Sequence, residues 1–315
     1  MYDNVTDFST PSIGSHTVIF VIIVAILSIF IVLANSFVVL TVLRYRHLRT
    51  PTNFIIFSLA VSDLLNGLLG GPLMCYHEMT SCSCRSSNFA AAIPPAFGRY
   101  LGTVSFVHVV ALTADRYVAV TRPLRYASSI TNKKVLICVT EVWVSVSLLY
   151  LIHTVITMQT FVSEGSGNQC DGSRLTNTVD LWTYGLLTAI ALCAIPSLIV
   201  FNLHILTIAI RQSTAIANLG RALSVEEQQR DANSSRLKAV KTTSMIVGLF
   251  CLCWSPAVLH LLLRMIVDMR RQMFIASYYF SFSLTTISSV LNPVIYCYRN
   301  QAFREAFLRL VRRRH

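Results

Sequence analysis

The chain is 315 residues long, 54% hydrophobic and 13% charged, with a formal net charge of +12 at pH 7 and a mean hydropathy of +0.60. Soluble domains carry about a quarter charged residues, so this composition excludes an ordinary soluble protein. A nucleic-acid-binding protein would gather its basic residues on one face of a soluble fold, whereas here they lie between long apolar runs. The composition therefore indicates an integral membrane protein with no nucleic-acid partner.

Seven apolar runs are long enough to cross a bilayer, which takes about 20 residues in a helix. The first run contains no charged residue, and no internal repeat stands out along the chain. We predict an all-α membrane protein built as a seven-transmembrane helix bundle. In chain order the runs cover residues 18–43, 54–76, 89–120, 135–158, 181–210, 242–263 and 273–298.

The basic residues are distributed unequally between the two ends of the predicted helices. Twenty of the 26 Lys and Arg residues fall on the side of the C-terminus, and basic residues accumulate on the cytoplasmic side of membrane proteins. We predict a plasma-membrane protein with an extracellular tail over residues 1–17, the bundle over 18–298 and a cytoplasmic segment over 299–315. Asn4, in an Asn-x-Thr sequon, is the predicted glycosylation site of the outer tail.

The last segment, residues 299–315, has the pattern of an amphipathic helix. Phe303, Phe307 and Leu310 share one face and arginines fill much of the rest. We predict that this helix lies on the inner leaflet, with its apolar face toward membrane lipid and its basic residues near anionic headgroups.

Polar side chains and prolines inside an apolar span are costly and need a reason. The third run ends in Asp115-Arg116-Tyr117, the sixth holds Cys253-Trp254-Ser255-Pro256, and the seventh holds Asn292-Pro293-Val294-Ile295-Tyr296. This combination resembles the rhodopsin-like (class A) family of G-protein-coupled receptors over about residues 18–310. Further residues of the same pattern lie in the other runs and earlier in the third run. They are Asn35, Asp63, Ser105, Trp143 and Pro196.

The resemblance implies a receptor, not an enzyme, that converts the binding of an extracellular ligand into activation of a heterotrimeric G protein. It further implies arrestin, a receptor kinase and membrane lipid as partners, and no cofactor other than an allosteric sodium ion. A transporter or channel is the alternative, but such proteins often show paired repeats. A membrane enzyme would need clustered catalytic side chains, and the histidines of the apolar runs are scattered along different helices.

By the same resemblance, Arg116 pairs with Asp115 at rest and faces the G protein after activation. The alternative is an ion pair that only stabilises a helix end. Prolines in the sixth and seventh runs should kink these helices and let them move, and Phe250 should pack against Phe106 and Pro196. The full set of implied switch residues is Asp115, Arg116, Tyr117, Trp254, Pro256, Phe250, Phe106, Pro196, Asn292, Pro293 and Tyr296.

The resemblance also places a sodium site around Asp63, a carboxyl group near the middle of the bilayer. Each implied ligand carries an oxygen atom, as a hard cation prefers. A protonated Asp63 held by hydrogen bonds is the alternative. The implied ligands are Asp63, Ser105, Ser288, Ser289 and Asn292.

The ligand pocket of this family lies in the outer third of the bundle. Amine receptors carry an aspartate where this chain has Gly98, and photopigments carry a lysine where it has Thr286, which disfavours a typical biogenic amine and retinal. Asp115–Val120 and Pro123–Tyr126 resemble the adenosine and melanocortin branch in scaffold, so the ligand class stays open among small molecules, lipids and peptides. The implied pocket residues are Gly98, Arg99, Gly102, Thr103, Thr188, Leu261, Phe282 and Thr286. Arg99 either binds an anionic group of the ligand or extends to lipid headgroups.

The sequence departs from the family at several positions. Relatives usually have a cysteine where this chain has Ala91, and the disulfide that the resemblance implies falls to Cys84 and Cys170, with Cys82 as an alternative partner of Cys170. On the cytoplasmic side, His204 replaces a tyrosine and Arg236 replaces an acid that restrains the helix 3 arginine in relatives. We therefore expect raised basal activity. Glu141, an acid within the fourth run, has no role in this pattern.

Overall fold

A computed structural model describes residues 14–80, 93–163, 178–223, 227–267, 270–299 and 301–312. All regular secondary structure in these segments is helical. Seven of the helices are long and apolar enough to cross a membrane, and a short helix follows the seventh. These findings confirm the predicted fold class. The predictions for Asn4, Ala91, Cys82, Cys84 and Cys170 lie outside the described residues.

The helices follow the predicted runs, and the fifth and sixth helices differ most from their predicted lengths. Both extend well beyond their apolar runs, at residues 211–223 and 227–241, into sequence rich in Ala, Glu, Gln, Arg and Lys. These residues favour helix without being apolar, so hydropathy gives no signal for them. In chain order the helices are α1 (Ser15–Arg44), α2 (Pro51–Thr80), α3 (Ile93–Thr121), α4 (Asn132–Ser163), α5 (Thr178–Leu223), α6 (Glu227–Ile266), α7 (Arg271–Arg299) and α8 (Gln301–Arg312).

The second helix is interrupted by a π-helical turn at Asn66–Gly70, close to the outer side of Asp63. Such a turn inserts a residue into the helix and rotates the part that follows. Gly67 lies in this turn, and a Cβ atom there would collide with Ile31 of α1. The glycine therefore permits the close approach of α1 and α2, and the turn sets the direction of the outer half of α2.

The third helix lies at the centre, in contact with α2, α4, α5 and α6. A buried apolar cluster joins the halves of α1, α2, α3 and α7 that are predicted to be cytoplasmic, with Leu112 and Tyr296 among its members. Large apolar side chains such as Leu33, Leu151 and Leu252 point outward and are more than half exposed. Apolar residues on the outer surface are what a lipid environment requires of a helix bundle.

The apolar face of α8 was predicted to point toward membrane lipid, but part of it points into the helix bundle. Phe303 is fully buried, with its ring centroid 6.2 Å from that of Tyr296, and Ala306 is also buried. Phe303 therefore packs into the bundle core and not against lipid, because α8 folds back against α1 and α7. The side chains of Phe307 and Leu310 lie outside the description. Arg309 and Glu305 form an exposed ion pair of 3.9 Å on the opposite face.

Candidate functional site

At the C-terminal end of α3, the carboxylate of Asp115 is buried and accepts four hydrogen bonds. Arg116 donates to Oδ2 from Nη2 at 2.5 Å and from Nε at 3.0 Å. Thr52 of α2 donates to the same oxygen at 2.8 Å, and Tyr126 donates to Oδ1 at 2.6 Å. The Arg116 guanidinium also contacts the Thr52 hydroxyl. This arrangement holds Arg116 against its own helix and against α2.

Sequence reasoning found Asp115 and Arg116 but missed Thr52 and Tyr126. Tyr126 lies in a short loop helix, Pro123–Ser129, which begins with Pro at its first position as helices often do. Burial and the hydrogen bond to Asp115 raise the pKa of the Tyr126 phenol, so the hydroxyl remains a donor at physiological pH. The stretch Pro123–Tyr126 was a usable signal, but only as part of a family resemblance.

Deeper in the bundle, three side chains converge on Asp63, which is 1% exposed. Ser105 of α3 and Ser289 of α7 donate to Oδ1 at 3.0 and 2.8 Å, and Asn292 of α7 donates to Oδ2 at 3.2 Å. Ser288 does not join them, since it donates to the Thr285 carbonyl at 2.6 Å. Adjacent residues of a helix point about 100° apart, so only one of the two serines can face Asp63.

The residues around Asp63 fit a hard monovalent cation. The carboxylate of Asp63 and the hydroxyl oxygens of Ser105 and Ser289 lie together, with Ser62 a further 2.9 Å from Ser105. Hydroxyl groups can rotate from donating to a carboxylate to offering their lone pairs, and oxygen donors are the ligands of hard cations. The same set also satisfies a carboxyl group without any ion.

Above Asp63, an aromatic cluster joins α3 and α6. The rings of Phe250 and Trp254 stack with centroids 5.0 Å apart, and Phe106 lies 5.7 Å from each. Pro196 is exposed, and Ile195 of the same helix packs into the cluster instead. The contact expected for Pro196 is thus made by its neighbour, because Ile195 projects inward and Pro196 outward from α5.

The seventh helix carries a buried hydroxyl that lacks a hydrogen bond. Tyr296 is 2% exposed, and its hydroxyl has no partner among the described residues. An unsatisfied buried polar group costs about 1–3 kcal/mol. Asn35 of α1 binds the Ser289 carbonyl at 3.1 Å and connects α1 to the same region of α7.

The two departures on the cytoplasmic side are only partly described. His204 is exposed on α5, and its ring centroid lies 6.5 Å from that of Tyr117. Residue 236 belongs to α6, and its side chain lies outside the description.

The two glycines in the N-terminal part of α3 have different surroundings. A Cβ atom at Gly98 would have nothing within 4 Å, whereas one at Gly102 would lie 3.3 Å from the Trp254 ring. The space expected beside Gly102 is therefore filled by Trp254, and the space beside Gly98 is open. Phe282 belongs to an aromatic cluster with Phe20.

The hydroxyls of the implied pocket point mainly into the protein. Thr103 lies 2.9 Å from the Tyr150 hydroxyl of α4, and Thr286 donates to the Phe282 carbonyl at 2.8 Å. Arg99 and Leu261 are half-buried. Thr188 lies in α5, and its side chain is outside the description.

Comparison with known proteins identifies a common architecture. A family model described as the seven-transmembrane receptor of the rhodopsin family matches residues 34–296. Trace amine-associated receptor 5 of Homo sapiens is 29% identical over 282 residues, which cover 88% of this chain and 80% of the relative. The histamine H2 receptor of Cavia porcellus is 31% identical over 297 residues, 92% of this chain and 78% of the relative. Neuromedin-U receptor 2 of Mus musculus is 27% identical over 314 residues, 97% of this chain and 76% of the relative.

Proposed function

This chain belongs to the rhodopsin family of seven-transmembrane, G-protein-coupled receptors, and we propose that it signals by releasing Arg116 from the cytoplasmic end of α3. The observation that carries the proposal is the network of Asp115, Thr52 and Tyr126 that holds the arginine. A rearrangement of α6 and α7 would expose the guanidinium to the G protein. Family membership implies the G protein and an extracellular ligand and excludes an enzyme, and the comparisons lend no support to a transporter or channel.

We propose a plasma-membrane orientation with the N-terminus outside, which the excess of basic residues at the other ends of the helices supports. In this orientation the long cytoplasmic extensions of α5 and α6 and the helix α8 would face the G protein, arrestin and a receptor kinase. The arginines of α8 would contact anionic lipid headgroups.

The ligand is proposed to bind in the outer third of the bundle, where the space beside Gly98 opens. The relatives are named a trace amine-associated receptor, a histamine receptor and a neuromedin-U receptor. This chain has Gly98 where amine receptors carry an aspartate on the third helix, and it has Thr286 where photopigments carry a lysine. We therefore propose a small molecule, a lipid or a peptide that is recognised differently from a typical biogenic amine and from retinal.

The first test measures signalling without added ligand. Cells expressing the chain are expected to show cyclic AMP, calcium or inositol phosphate output above that of empty cells, because Arg236 and His204 replace residues that stabilise defined states in relatives. Arg236→Glu is expected to lower this output about 1.5- to 5-fold, the range that corresponds to an exposed ion pair of about 0.2–1 kcal/mol. Output equal to that of empty cells, with surface expression confirmed, would contradict raised basal activity.

A second prediction concerns the phenol of Tyr126. Tyr126→Phe removes the hydroxyl that donates to Asp115 Oδ1 at 2.6 Å and leaves the ring in place. A hydrogen bond to a charged group contributes about 1.5–3 kcal/mol, and part of this stabilises the resting arrangement. Basal nucleotide exchange on the G protein is expected to rise about 3- to 10-fold at equal surface expression.

The matched control for Tyr126→Phe is Tyr45→Phe. Tyr45 also lies at the cytoplasmic end of the bundle, beside His47, and no hydrogen bond joins its hydroxyl to the Asp115 network. This variant should signal at the wild-type level. Unchanged exchange in Tyr126→Phe would show that Tyr126 does not restrain the receptor.

A further inference from the structure

The outer ends of α1, α2 and α7 meet at a carboxylate. Glu78 lies two residues before the end of α2 and is half-buried. The Tyr279 hydroxyl of α7 donates to its Oε2 at 2.7 Å, and the Thr17 hydroxyl of α1 lies 3.2 Å from the same phenol oxygen. This carboxylate was not singled out by the sequence, because it lies at the edge of an apolar run.

Aromatic rings pack beside this carboxylate. Phe20 stacks on Tyr279 with centroids 4.0 Å apart and an interplanar angle of 8°, and Phe282 meets the edge of Phe20 at 5.6 Å. Tyr278 lies 5.8 Å from Tyr279 and 6.2 Å from Phe282. The carboxylate thus lies next to an aromatic cluster through Tyr279, and a counter-charge together with aromatic surface is what organic cations prefer.

The carboxylate of Glu78 has capacity for further hydrogen bonds and for a counter-charge among the described residues. A carboxylate can accept about four hydrogen bonds, and among the described residues Glu78 accepts one. No ion pair joins it to a described cation, since the pairs found there are Arg116 with Asp115 and Arg309 with Glu305. A neutral amide would also accept the Tyr279 hydrogen bond, though more weakly, so a structural tether alone does not require a charge.

The position of Glu78 suits a ligand that arrives from outside. Glu78 is the one acidic residue among the described side chains at the outer ends of the helices. The third helix has Gly98 where amine receptors carry an aspartate. The π-helical turn at Asn66–Gly70 determines the direction of this half of α2. A cationic group would therefore find its counter-charge between α2 and α7 and not on α3.

We propose that Glu78 binds the positively charged group of the ligand, an ammonium or guanidinium group, with Tyr279 and Phe282 packing against the adjoining part of the molecule. This assignment rests on the proposed receptor function and names the chemistry of its ligand. The cation belongs either to a small amine or to the amino terminus or an arginine side chain of a peptide.

The test uses the purified full-length receptor and two readouts, thermal stabilisation and nucleotide exchange on a G protein. The small-amine arm uses phenethylamine, histamine and octopamine, each beside an uncharged analogue in which a hydroxyl replaces the amine. The peptide arm uses a random peptide pool with free amino termini and arginines, beside the same pool acetylated at its amines and depleted of arginine. We expect stabilisation by the charged probes of one arm and not by their uncharged counterparts.

Two matched variants separate recognition from the tether between α2 and α7. Glu78→Gln keeps an acceptor for Tyr279 and removes the charge, so probe affinity is expected to fall about 10- to 100-fold, the loss of about 1.5–3 kcal/mol for a hydrogen bond to a charged group. Tyr279→Phe removes the tether and keeps the charge, so affinity should change less than about threefold. Glu78→Asp keeps the charge and should bind more tightly than Glu78→Gln.

The two readouts keep this inference separate from the proposed function. Stabilisation that depends on Glu78 without any nucleotide exchange would support the cation site and contradict the receptor function. Basal exchange without stabilisation by any charged probe would support the receptor function and overturn the cation site. Equal affinity of wild type and Glu78→Gln would also overturn it.

Discussion

Replacing Arg116 by Ala is expected to reduce nucleotide exchange on the G protein at least about tenfold, to the level of cells without receptor. In the structure the Arg116 guanidinium makes two hydrogen bonds to Asp115 and contacts Thr52. Ala removes the group that the proposed mechanism delivers to the G protein. It also removes the contacts that stabilise the resting state, but without the guanidinium the cytoplasmic end of α3 lacks the group that binds the G protein. The measurement is exchange at equal surface expression, at rest and with any activating ligand.

Two further substitutions make this result specific. Arg116→Lys keeps the positive charge but loses the planar fork that binds a carboxylate through two nitrogens, so it should retain part of the activity. Arg44→Ala removes an exposed arginine at the end of α1 that has no contact with the Asp115 network, and it should signal as wild type does. Wild-type exchange in Arg116→Ala would mean that Asp115 and Arg116 are only an ion pair at a helix end.

The restraint itself explains why both neighbours of Arg116 matter. Asp115 is 6% exposed, and a buried carboxylate that loses its partners is costly. Thr52 and Tyr126 donate two further hydrogen bonds to it beside those of Arg116. The four donors together define the resting arrangement, so loss of the Tyr126 hydroxyl is expected to favour release of Arg116.

The sequence was sufficient for the spans because membrane helices must be apolar and internally hydrogen-bonded. It was also sufficient to identify Asp63 and Asp115, since charged groups in apolar runs are rare. It could not identify Thr52, Tyr126 or Glu78 as members of sites. Their importance depends on which helix faces which, and that rotation is set by packing between segments far apart in the chain.

The sequence was wrong or incomplete where direction around a helix decides the contact. Ser288 and Ser289 are equivalent as oxygen donors, yet only Ser289 reaches Asp63. Ile195 and Pro196 are neighbours, yet Ile195 is buried in the same cluster as Phe250 whereas Pro196 is exposed. Phe303 has the pattern of a lipid-facing residue and is buried in the bundle. In each case one step along a helix turns the side chain by about 100°.

The direction of its side chain likewise leaves Glu141 without a partner among the described residues. The carboxyl group is exposed on the outer surface of α4, among Thr140, Val144, Ser145 and Leu148. The carboxyl group makes no hydrogen bond or ion pair with the described side chains of the bundle interior. It is therefore suited as a control acid, since its removal should leave the Asp63 cluster and the Glu78 site undisturbed.

Asp63→Asn is expected to abolish the effect of sodium on receptor stability. We propose that a sodium ion binds Asp63, Ser105 and Ser289, and a bound ion would supply the positive charge that the buried carboxylate lacks. A ligand that binds only the folded state stabilises it by RT ln(1 + [L]/Kd), or about 1.4 kcal/mol when sodium is at ten times its Kd. The measurement is the unfolding temperature of the purified receptor in sodium chloride and in N-methylglucamine chloride at equal ionic strength. Wild type should be a few degrees more stable in sodium.

The adjacent serines provide the matched pair for this experiment. Ser289→Ala removes a hydroxyl bound to Asp63 Oδ1 at 2.8 Å and should weaken the sodium response, whereas Ser288→Ala removes one bound to a backbone carbonyl and should preserve it. Glu141→Gln should also preserve it. A response that persists in Asp63→Asn would show an effect of salt elsewhere on the protein. No response in wild type would mean that Asp63 is protonated and satisfied by its three hydrogen-bond partners alone.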